Sequence, residues 1–201
     1  MIEVEVAKSI VRQLNYVPKV IHLPLATSLG YVLSTDVLAP IHMPPFDQSA
    51  MDGYALKLGQ TLEYRMIGEV QAGSANNPTM EVGDAVRIFT GAAVPTDANA
   101  VIMQEKTKQE GTSLKIDELP QLSANIRPLG EQIRQGEIAL KKGTELSPAA
   151  IGFLAGIGVS EVSVFQKPKI AVVVTGDELV STGEVLKRGQ IYESNGIMLA
   201  N

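Results

Sequence analysis

The side chains that could do chemistry in this chain are acids and hydroxyls placed beside glycines. Asp52 and Thr90 each precede a glycine, and the neighbouring acids Asp177 and Glu178 follow one. The chain has no cysteine and two histidines, which excludes thiolate metal sites, a cysteine nucleophile and a histidine-rich zinc site. Carboxylates and hydroxyls can position a substrate by hydrogen bonds, and carboxylates can hold a hard cation such as Mg²⁺. We therefore expect chemistry carried by oxygen atoms.

Composition narrows the class of partner. The chain has 201 residues, of which 45% are hydrophobic and 4% aromatic, and its net charge is −5. No apolar run reaches the roughly 18 residues of a membrane span, and no basic, aromatic-rich patch suits a nucleic acid. The acidic, amphipathic N-terminus lacks the pattern of a signal peptide. The absence of cysteine fits a reducing compartment, so we expect a cytoplasmic protein.

Hydrophobic periodicity predicts the elements that position these side chains. Apolar residues at helical spacing predict a helix over about residues 3–14. A short helix over 24–30 and a strand over 32–37 should follow. Ser147 and Pro148 are a typical N-cap and first helical residue, so a further helix should begin there.

The stretch from about residue 46 to 140 alternates short strands with turns. Apolar and polar residues alternate over 62–66 and 86–88, as in half-buried strands. Further strands are expected at 100–103, 113–116 and 159–165. Segments rich in glycine, proline and asparagine separate them. This texture is typical of a small β barrel or sandwich.

The run from Ile170 to Thr175 is apolar on both faces, which predicts a central strand of a parallel sheet covered by helices. Asp177 and Glu178 follow it directly, and ligands of open α/β sheets bind at the carboxyl ends of strands. Residues 176–201 are fewer than the roughly 30 of a βαβ unit. We therefore expect the chain to open a parallel domain without completing it.

Five segments contain the candidate residues. They are MPPFDQSAMDGYA at 43–55, VRIFTGAAVP at 86–95, NIRPLGEQIRQG at 125–136, TGDEL at 175–179 and GQIYESN at 189–195. Taken alone, several allow a structural interpretation: Asp52 can be a plain turn residue, Thr90 can bond its local backbone, and Ser194 can cap a helix. Free amides at such a helix start also suit a phosphate or another anion.

In residue type, order and spacing, these segments resemble motifs of the MoeA and gephyrin E-domain family of molybdopterin molybdenumtransferases. The resemblance covers essentially the whole chain and corresponds to the family's N-terminal half. Gln132 departs from it, because the family has at this position an Asp that belongs to its functional set. A neutral amide can neither ionise nor hold a cation by charge. Two later family segments, Gly-Gly-Val-Ser and Pro-Gly-Lys-Pro, do not occur here.

The resemblance implies a mixed fold of the α+β type in three parts. Residues 1–37 and 140–166 would form a mixed α/β dimerisation domain. Residues 38–139 would form an inserted β-rich, barrel-like domain. Residues 167–201 would begin an incomplete, parallel α/β molybdopterin-binding domain.

The resemblance also implies a reaction: insertion of molybdate into adenylylated molybdopterin, with release of AMP and with Mg²⁺. The cleft would lie between the subunits of a homodimer, and other molybdenum-cofactor biosynthesis proteins are possible partners. Asp52, Thr90 and Glu178 would be catalytic, with Glu178 also a metal ligand. The residues contacting the bound cofactor would be Asp177, Ser194 and Asn195.

Two hypotheses stay open at this point. The chain alone is expected to be an inactive part of such an enzyme, whose retained residues Asp52, Thr90 and Glu178 favour a catalytic parent. The alternative is a non-catalytic scaffolding or assembly module of the gephyrin-E type, which Gln132 favours.

Overall fold

The computed structural model describes residues 2–14 and 16–201, and its elements fall into two units. The sheet unit is Val20–Phe165, and the terminal unit is Met1–Lys19 together with Gln166–Asn201. In the described part of the chain, no helix is both long and apolar enough to span a bilayer.

The elements of the terminal unit are α1 (Val4–Arg12), β14 (Leu179–Val180), β15 (Ile191–Tyr192) and α3 (Asn195–Ala200). The strands of the sheet unit are β1 (Val20–Pro24), β2 (Val32–Leu33), β3 (Val37–Leu38), β4 (Gln48–Ser49), β5 (Gly53–Leu56), β6 (Glu63–Val70), β7 (Asp84–Ile88), β8 (Ala100–Met103), β9 (Thr107–Glu110), β10 (Ser113–Ile116), β11 (Ile126–Arg127), β12 (Ile138–Leu140) and β13 (Glu161–Phe165). Its helical segments are the 3-10 turns Leu25–Thr27 and Gln104–Lys106 and the helix α2 (Pro148–Gly156).

The main sheet has the strand order β8-β5-β7-β6-β10-β9, and it is antiparallel except for the parallel pair β6–β7. Successive side chains of a strand point to opposite faces, so a strand can contribute side chains to two buried hydrophobic clusters, one on each face of the sheet. Ala55 and Val86 lie in one buried cluster, whereas Leu56, Tyr64 and Leu114 lie in the other. The sheet curls into a half-barrel, which confirms a mixed α/β fold with a β-rich, barrel-like part.

A smaller sheet with the order β1-β13-β2 packs against α2. Its core contains Leu33, Leu154 and Val164, all fully buried. Burial of each such side chain contributes about 1.5–3 kcal/mol. The predicted start of α2 is confirmed, because the Oγ of Ser147 accepts a hydrogen bond of 3.2 Å from the Ala150 amide.

The predicted strand over 32–37 is wrong as one continuous element. It is split into β2, which pairs with β13, and β3, which pairs with β12. The chain bends at Ser34 and Thr35, and Oδ1 of the next residue, Asp36, accepts a 2.7 Å hydrogen bond from the Lys142 amide. The short helix predicted over 24–30 is confirmed only as the 3-10 turn, and β1 before it was not predicted.

In the terminal unit, the predicted N-terminal helix is confirmed as α1, and none of its residues is buried. The predicted strand from Ile170 to Thr175 is wrong for this structure, since that run has no ladder partner in the described residues. Ile170 and Val173 are 82% and 81% exposed. A parallel strand of this kind needs neighbouring strands and covering helices, and the terminal unit offers only the two-residue pair β14–β15.

Candidate active site

Asp52 and Thr90 meet at one edge of the main sheet. Asp52 immediately precedes β5 and Thr90 lies two residues beyond β7, and the register of these strands places Gly53 opposite Ile88. The backbone N–H and the Oγ1 hydroxyl of Thr90 both donate to Oδ1 of Asp52, each over 2.7 Å. The structure therefore joins two residues that are far apart in sequence and that the motifs assigned to one site.

These bonds set the charge of Asp52. The hydrogen bond from the Thr90 backbone lowers the pKa of the Asp52 carboxyl most, followed by the bond from the Thr90 hydroxyl. Partial desolvation opposes this effect and the nearby positive charge of Arg87 adds to it. Asp52 is consequently ionised at neutral pH. Both bonds end on Oδ1, and no donor within residues 2–14 and 16–201 occupies Oδ2, so this oxygen is available to a ligand.

Gly53 is required by close packing of strands. A Cβ on this residue would lie 1.9 Å from the carbonyl oxygen of Ile102 on β8, far inside van der Waals contact. The Gln104 amide also donates to the Asp52 carbonyl over 3.1 Å. Since β4 and β5 pair with different strands, the Asp52-Gly53 step does not connect a hairpin.

The segment that follows β7 is tied to the segment that precedes β5. Gly91 has a positive φ of 86°, which glycine adopts readily, and its amide donates to the Ser49 carbonyl over 2.9 Å. The side chain of Gln48 donates to the Gly91 carbonyl over 3.1 Å. The Ser49 amide in turn donates to the Ala92 carbonyl over 2.9 Å. These contacts fix the loop that carries Thr90.

The third motif segment joins the same assembly through β11, which pairs with β4. The Ala50 amide donates to the Asn125 carbonyl over 2.9 Å, and the Leu129 amide donates to Oδ1 of Asp47 over 2.8 Å. Gln132 is exposed, and its backbone amide donates to Met43 over 2.9 Å. Segments 43–55, 86–95 and 125–136 thus converge in the sheet unit.

Arg87 was not singled out as a site residue from the sequence. Its guanidinium carbon lies 5.0 Å from the centre of the Tyr54 ring and 5.1 Å from that of Phe89. It donates to the Gly53 carbonyl over 3.3 Å and to the Gln104 side chain over 2.5 Å. The available signal was a basic residue between apolar residues, inside the same 86–95 segment as Thr90.

The two remaining segments meet in the terminal unit. β14 and β15 pair in parallel, with Leu179 opposite Ile191, and the Ile191 amide donates to the Glu178 carbonyl over 2.8 Å. The Glu178 carboxylate folds back over Gly176, since its oxygens lie 2.7 and 2.9 Å from where a Cβ on that glycine would stand. Asp177 and Glu178 are therefore brought beside the 189–195 segment, whereas Asp52 and Thr90 belong to the sheet unit.

Ser194 is the N-cap residue of α3 by position, but the side-chain cap that its residue type allows is not formed. Its side chain makes no capping bond, and Oε1 of Glu193 instead accepts a 2.6 Å hydrogen bond from the Gly196 amide. Ser194 has φ −124° and ψ −20°, which is not the extended conformation usual for an N-cap. Glu193 therefore occupies one of the free amides of α3 that an anion would use.

The carboxylates of the chain can be compared with the ligands that the implied Mg²⁺ would need. No group of three His, Cys, Asp or Glu side chains able to cage a metal occurs among the described residues. Mg²⁺ nevertheless usually binds through one or two carboxylates together with substrate phosphates and water. The adjacent carboxylates of Asp177 and Glu178 fit that mode of binding, although they do not form a complete cage.

Comparisons with known proteins show the family of the chain. Residues 2–158 match the family profile described as the MoeA N-terminal region (domain I and II). The molybdopterin molybdenumtransferase of Haemophilus influenzae is 38% identical over 200 residues, covering 97% of this chain and 50% of that protein. Molybdopterin molybdenumtransferase 2 of Mycobacterium tuberculosis is 39% identical over 188 residues, covering 90% and 46%.

A solved structure extends the likeness to the fold. The crystal structure of the molybdopterin biosynthesis MoeA protein from Pyrococcus horikoshii OT3 superposes with a TM-score of 0.85 at 35% identity, covering 97% of this chain and 54% of that one. The chain spans about half the length of the curated relatives it matches. From the match over residues 2–158 and the shared fold, the chain belongs to the MoeA family.

Proposed function

We propose that this chain forms the N-terminal part of a molybdopterin molybdenumtransferase, which inserts molybdate into adenylylated molybdopterin and releases AMP. The observation that carries the proposal is the pair of hydrogen bonds from Thr90 to Asp52, which joins two family motifs in one site. The names of the Haemophilus influenzae and Mycobacterium tuberculosis relatives support the same reaction.

Asp52 and Thr90 act together in the proposed site. Thr90 uses both of its donors to orient one carboxylate oxygen and keep Asp52 ionised. The other oxygen then accepts a hydrogen bond from an N–H or O–H group of the substrate. An ionised carboxylate repels a bare phosphate, so Asp52 is suited to the pterin side of adenylylated molybdopterin rather than to its phosphates.

Glu178 and Asp177 supply the complementary function in the terminal unit. Their carboxylates are hard oxygen donors of the kind Mg²⁺ prefers, and Glu178 is the proposed metal ligand. When bound, Mg²⁺ would neutralise phosphate charge as AMP leaves. Ser194 and Asn195 are proposed to contact the cofactor through polar side chains, since Glu193 occupies one of the amides at the start of α3.

The assembly around the site follows the same family pattern. We propose a dimerisation domain over 1–37 and 140–166, an inserted β-rich domain over 38–139 and the start of a molybdopterin-binding domain over 167–201. In a homodimer, the β-rich domain of one subunit would complete the cleft with the molybdopterin-binding domain of the other. Other proteins of molybdenum-cofactor biosynthesis are the proposed further partners.

A chimera tests the function. This chain replaces the aligned half of the Haemophilus influenzae relative, and the chimera is expressed in a host that lacks its own molybdopterin molybdenumtransferase. Recovery of molybdoenzyme activity is expected. Asp52→Asn and Thr90→Val should each reduce that activity roughly 100-fold, because the substrate is no longer held in register.

Asp36→Asn is the matched control. Asp36 also accepts a 2.7 Å hydrogen bond from a backbone amide in the sheet unit, but it lies outside the motif segments. Asp36→Asn should leave activity within about twofold of that of the parent chimera. A tenfold change in rate would correspond to about 1.4 kcal/mol of activation free energy. Full activity of both site variants, or a folded chimera that fails to restore activity, would contradict the proposed function. The second result would favour the scaffolding alternative.

A further inference from the structure

Arg87 is held in a fixed orientation beside the proposed site. It lies opposite Tyr54 in the β5–β7 register, and its guanidinium stands about equally far from the rings of Tyr54 and Phe89. Both distances fall within the roughly 6 Å over which a cation is attracted to an aromatic face. Two rings therefore restrict the guanidinium, which is neither fully exposed nor fully buried.

The N–H groups of Arg87 are directed to the turn that carries Asp52. One nitrogen donates to the Gly53 carbonyl over 3.3 Å, and another donates to the Gln104 side chain over 2.5 Å. The backbone amide of Gln104 donates to the Asp52 carbonyl over 3.1 Å. Two consecutive carbonyls thus accept hydrogen bonds: that of Gly53 from Arg87 itself, and that of Asp52 from Gln104, which Arg87 contacts.

The charge of Arg87 acts on Asp52 without a direct ion pair. Among the described residues, no salt bridge within 4.0 Å joins the side chains of Arg87 and Asp52. The positive charge still favours the ionised carboxylate of Asp52 through space. Arg87 therefore stays separate from the carboxylate oxygens, and Oδ2 of Asp52 remains available.

We propose that Arg87 is a positioning residue of the Asp52–Thr90 site: clamped between Tyr54 and Phe89, it fixes the Asp52-Gly53 turn and keeps a positive charge near the carboxylate. This inference rests on the proposed function of Asp52. A lysine could supply the charge but not the planar, multiply donating group that bonds two acceptors while stacking on rings. Arginine is therefore the residue required here.

The first test is a titration of the Asp52 side-chain carboxyl by carbon-detected NMR in this 201-residue chain. In Arg87→Met, the pKa of Asp52 should rise, because the nearby positive charge that helps to lower it is lost. In Arg87→Lys, the pKa should stay near that of the parent. The amide resonances of Thr90 and Gln104 should shift in both variants, because both lose the planar clamp.

Arg65→Met is the control for removing an arginine from the same sheet. Arg65 forms a 3.0 Å ion pair with Asp84. Its replacement by Met should leave the Asp52 titration unchanged. Should Arg87→Met fail to fold, Arg87→Lys decides the matter through the Thr90 and Gln104 amides. Unchanged amides in Arg87→Lys, or an unchanged Asp52 pKa in a folded Arg87→Met, would overturn the inference.

The second test uses the chimera. Arg87→Lys should lower kcat at least about tenfold with a smaller change in KM, since it misplaces Asp52 without removing a substrate contact. An Asp52→Asn chimera with full activity would overturn the proposed function, whatever the titration shows. Unchanged NMR parameters in the Arg87 variants would overturn the present inference even if Asp52→Asn is inactive, so the two failures are distinguishable.

Discussion

The sheet unit and the terminal unit carry motif segments of the same family but differ in what holds those segments in place. Asp52 is bonded through its side chain and lies beside a glycine packed against the next strand. Glu178 extends from a two-residue strand, and its carboxylate merely folds over a glycine. The motif segments therefore lie in both units, whereas burial gives them a rigid scaffold in only one. Substitutions that probe packing should separate the units.

The largest expected effect comes from Gly53→Ala. The new Cβ would lie 1.9 Å from a backbone oxygen of Ile102, so β5 and β8 would have to separate. We expect a loss of more than about 5 kcal/mol of unfolding free energy, enough to unfold the sheet unit. Gly68→Ala is the control, because nothing lies within 4 Å of its Cβ position, and it should stay within about 1 kcal/mol. Urea denaturation measures both, and similar midpoints would contradict the packing argument.

A pair of truncations compares the two units directly. Leu114→Ala removes a fully buried side chain from the main sheet and should cost about 2–5 kcal/mol. Val173→Ala shortens a side chain that is 81% exposed and should change stability by less than about 0.5 kcal/mol. Thermal unfolding followed by circular dichroism gives both values. Equal destabilisation would show that Val173 is packed in solution.

Limited proteolysis of the unsubstituted chain should also show that the terminal unit is less tightly packed than the sheet unit. Trypsin is expected to cut after Lys169, where the chain is exposed and outside any strand, before it cuts after Lys108 within β9. Lys167 is followed by proline, which trypsin does not accept. Mass spectrometry of the early fragments identifies the first site. Cleavage after Lys108 at a comparable rate would mean that the main sheet opens as readily as the terminal unit.

The smallest expected effect concerns the start of α3. Glu193→Gln weakens the charged acceptor for the Gly196 amide and should speed hydrogen exchange of that amide severalfold, consistent with a cap contribution of about 1 kcal/mol. Ser194→Ala removes a hydroxyl that makes no capping bond and should leave exchange unchanged. The reverse result would support a side-chain cap by Ser194, the structural interpretation that its residue type allows.

Local signals allowed much of the sheet unit to be predicted. Ser147 and Pro148 start α2 because capping depends on neighbours in sequence, and alternation located β10 at Ser113–Ile116. The motifs placed Asp52 and Thr90 in one site, and the structure joins them. What failed depends on partners distant in sequence: the break between β2 and β3 follows their pairing with different strands, and a strand from Ile170 would require neighbouring strands.

The same limit explains the errors at the candidate site itself. Ser194 has the right residue type for a cap, but its backbone angles are not the extended ones usual for an N-cap, and Glu193 bonds the Gly196 amide instead. Arg87 appears in a motif segment, yet its contacts with Tyr54 and Gln104 exist only after β5, β7 and β8 are aligned. Residue type predicts what a side chain can do, and tertiary register decides whether it does so.

The parallel pair β6–β7 has a consequence for how the chain acquires its site. Parallel neighbours cannot be joined by a tight hairpin, so residues 71–83 must cross from one end of the sheet to the other before β7 can dock. The strand order also inserts β5 between two strands that are synthesised later. Folding of the sheet is therefore governed by non-local contacts, which are slow to form. The Asp52–Thr90 hydrogen bonds depend on one of these non-local contacts, because they form only when β7 is paired with β5.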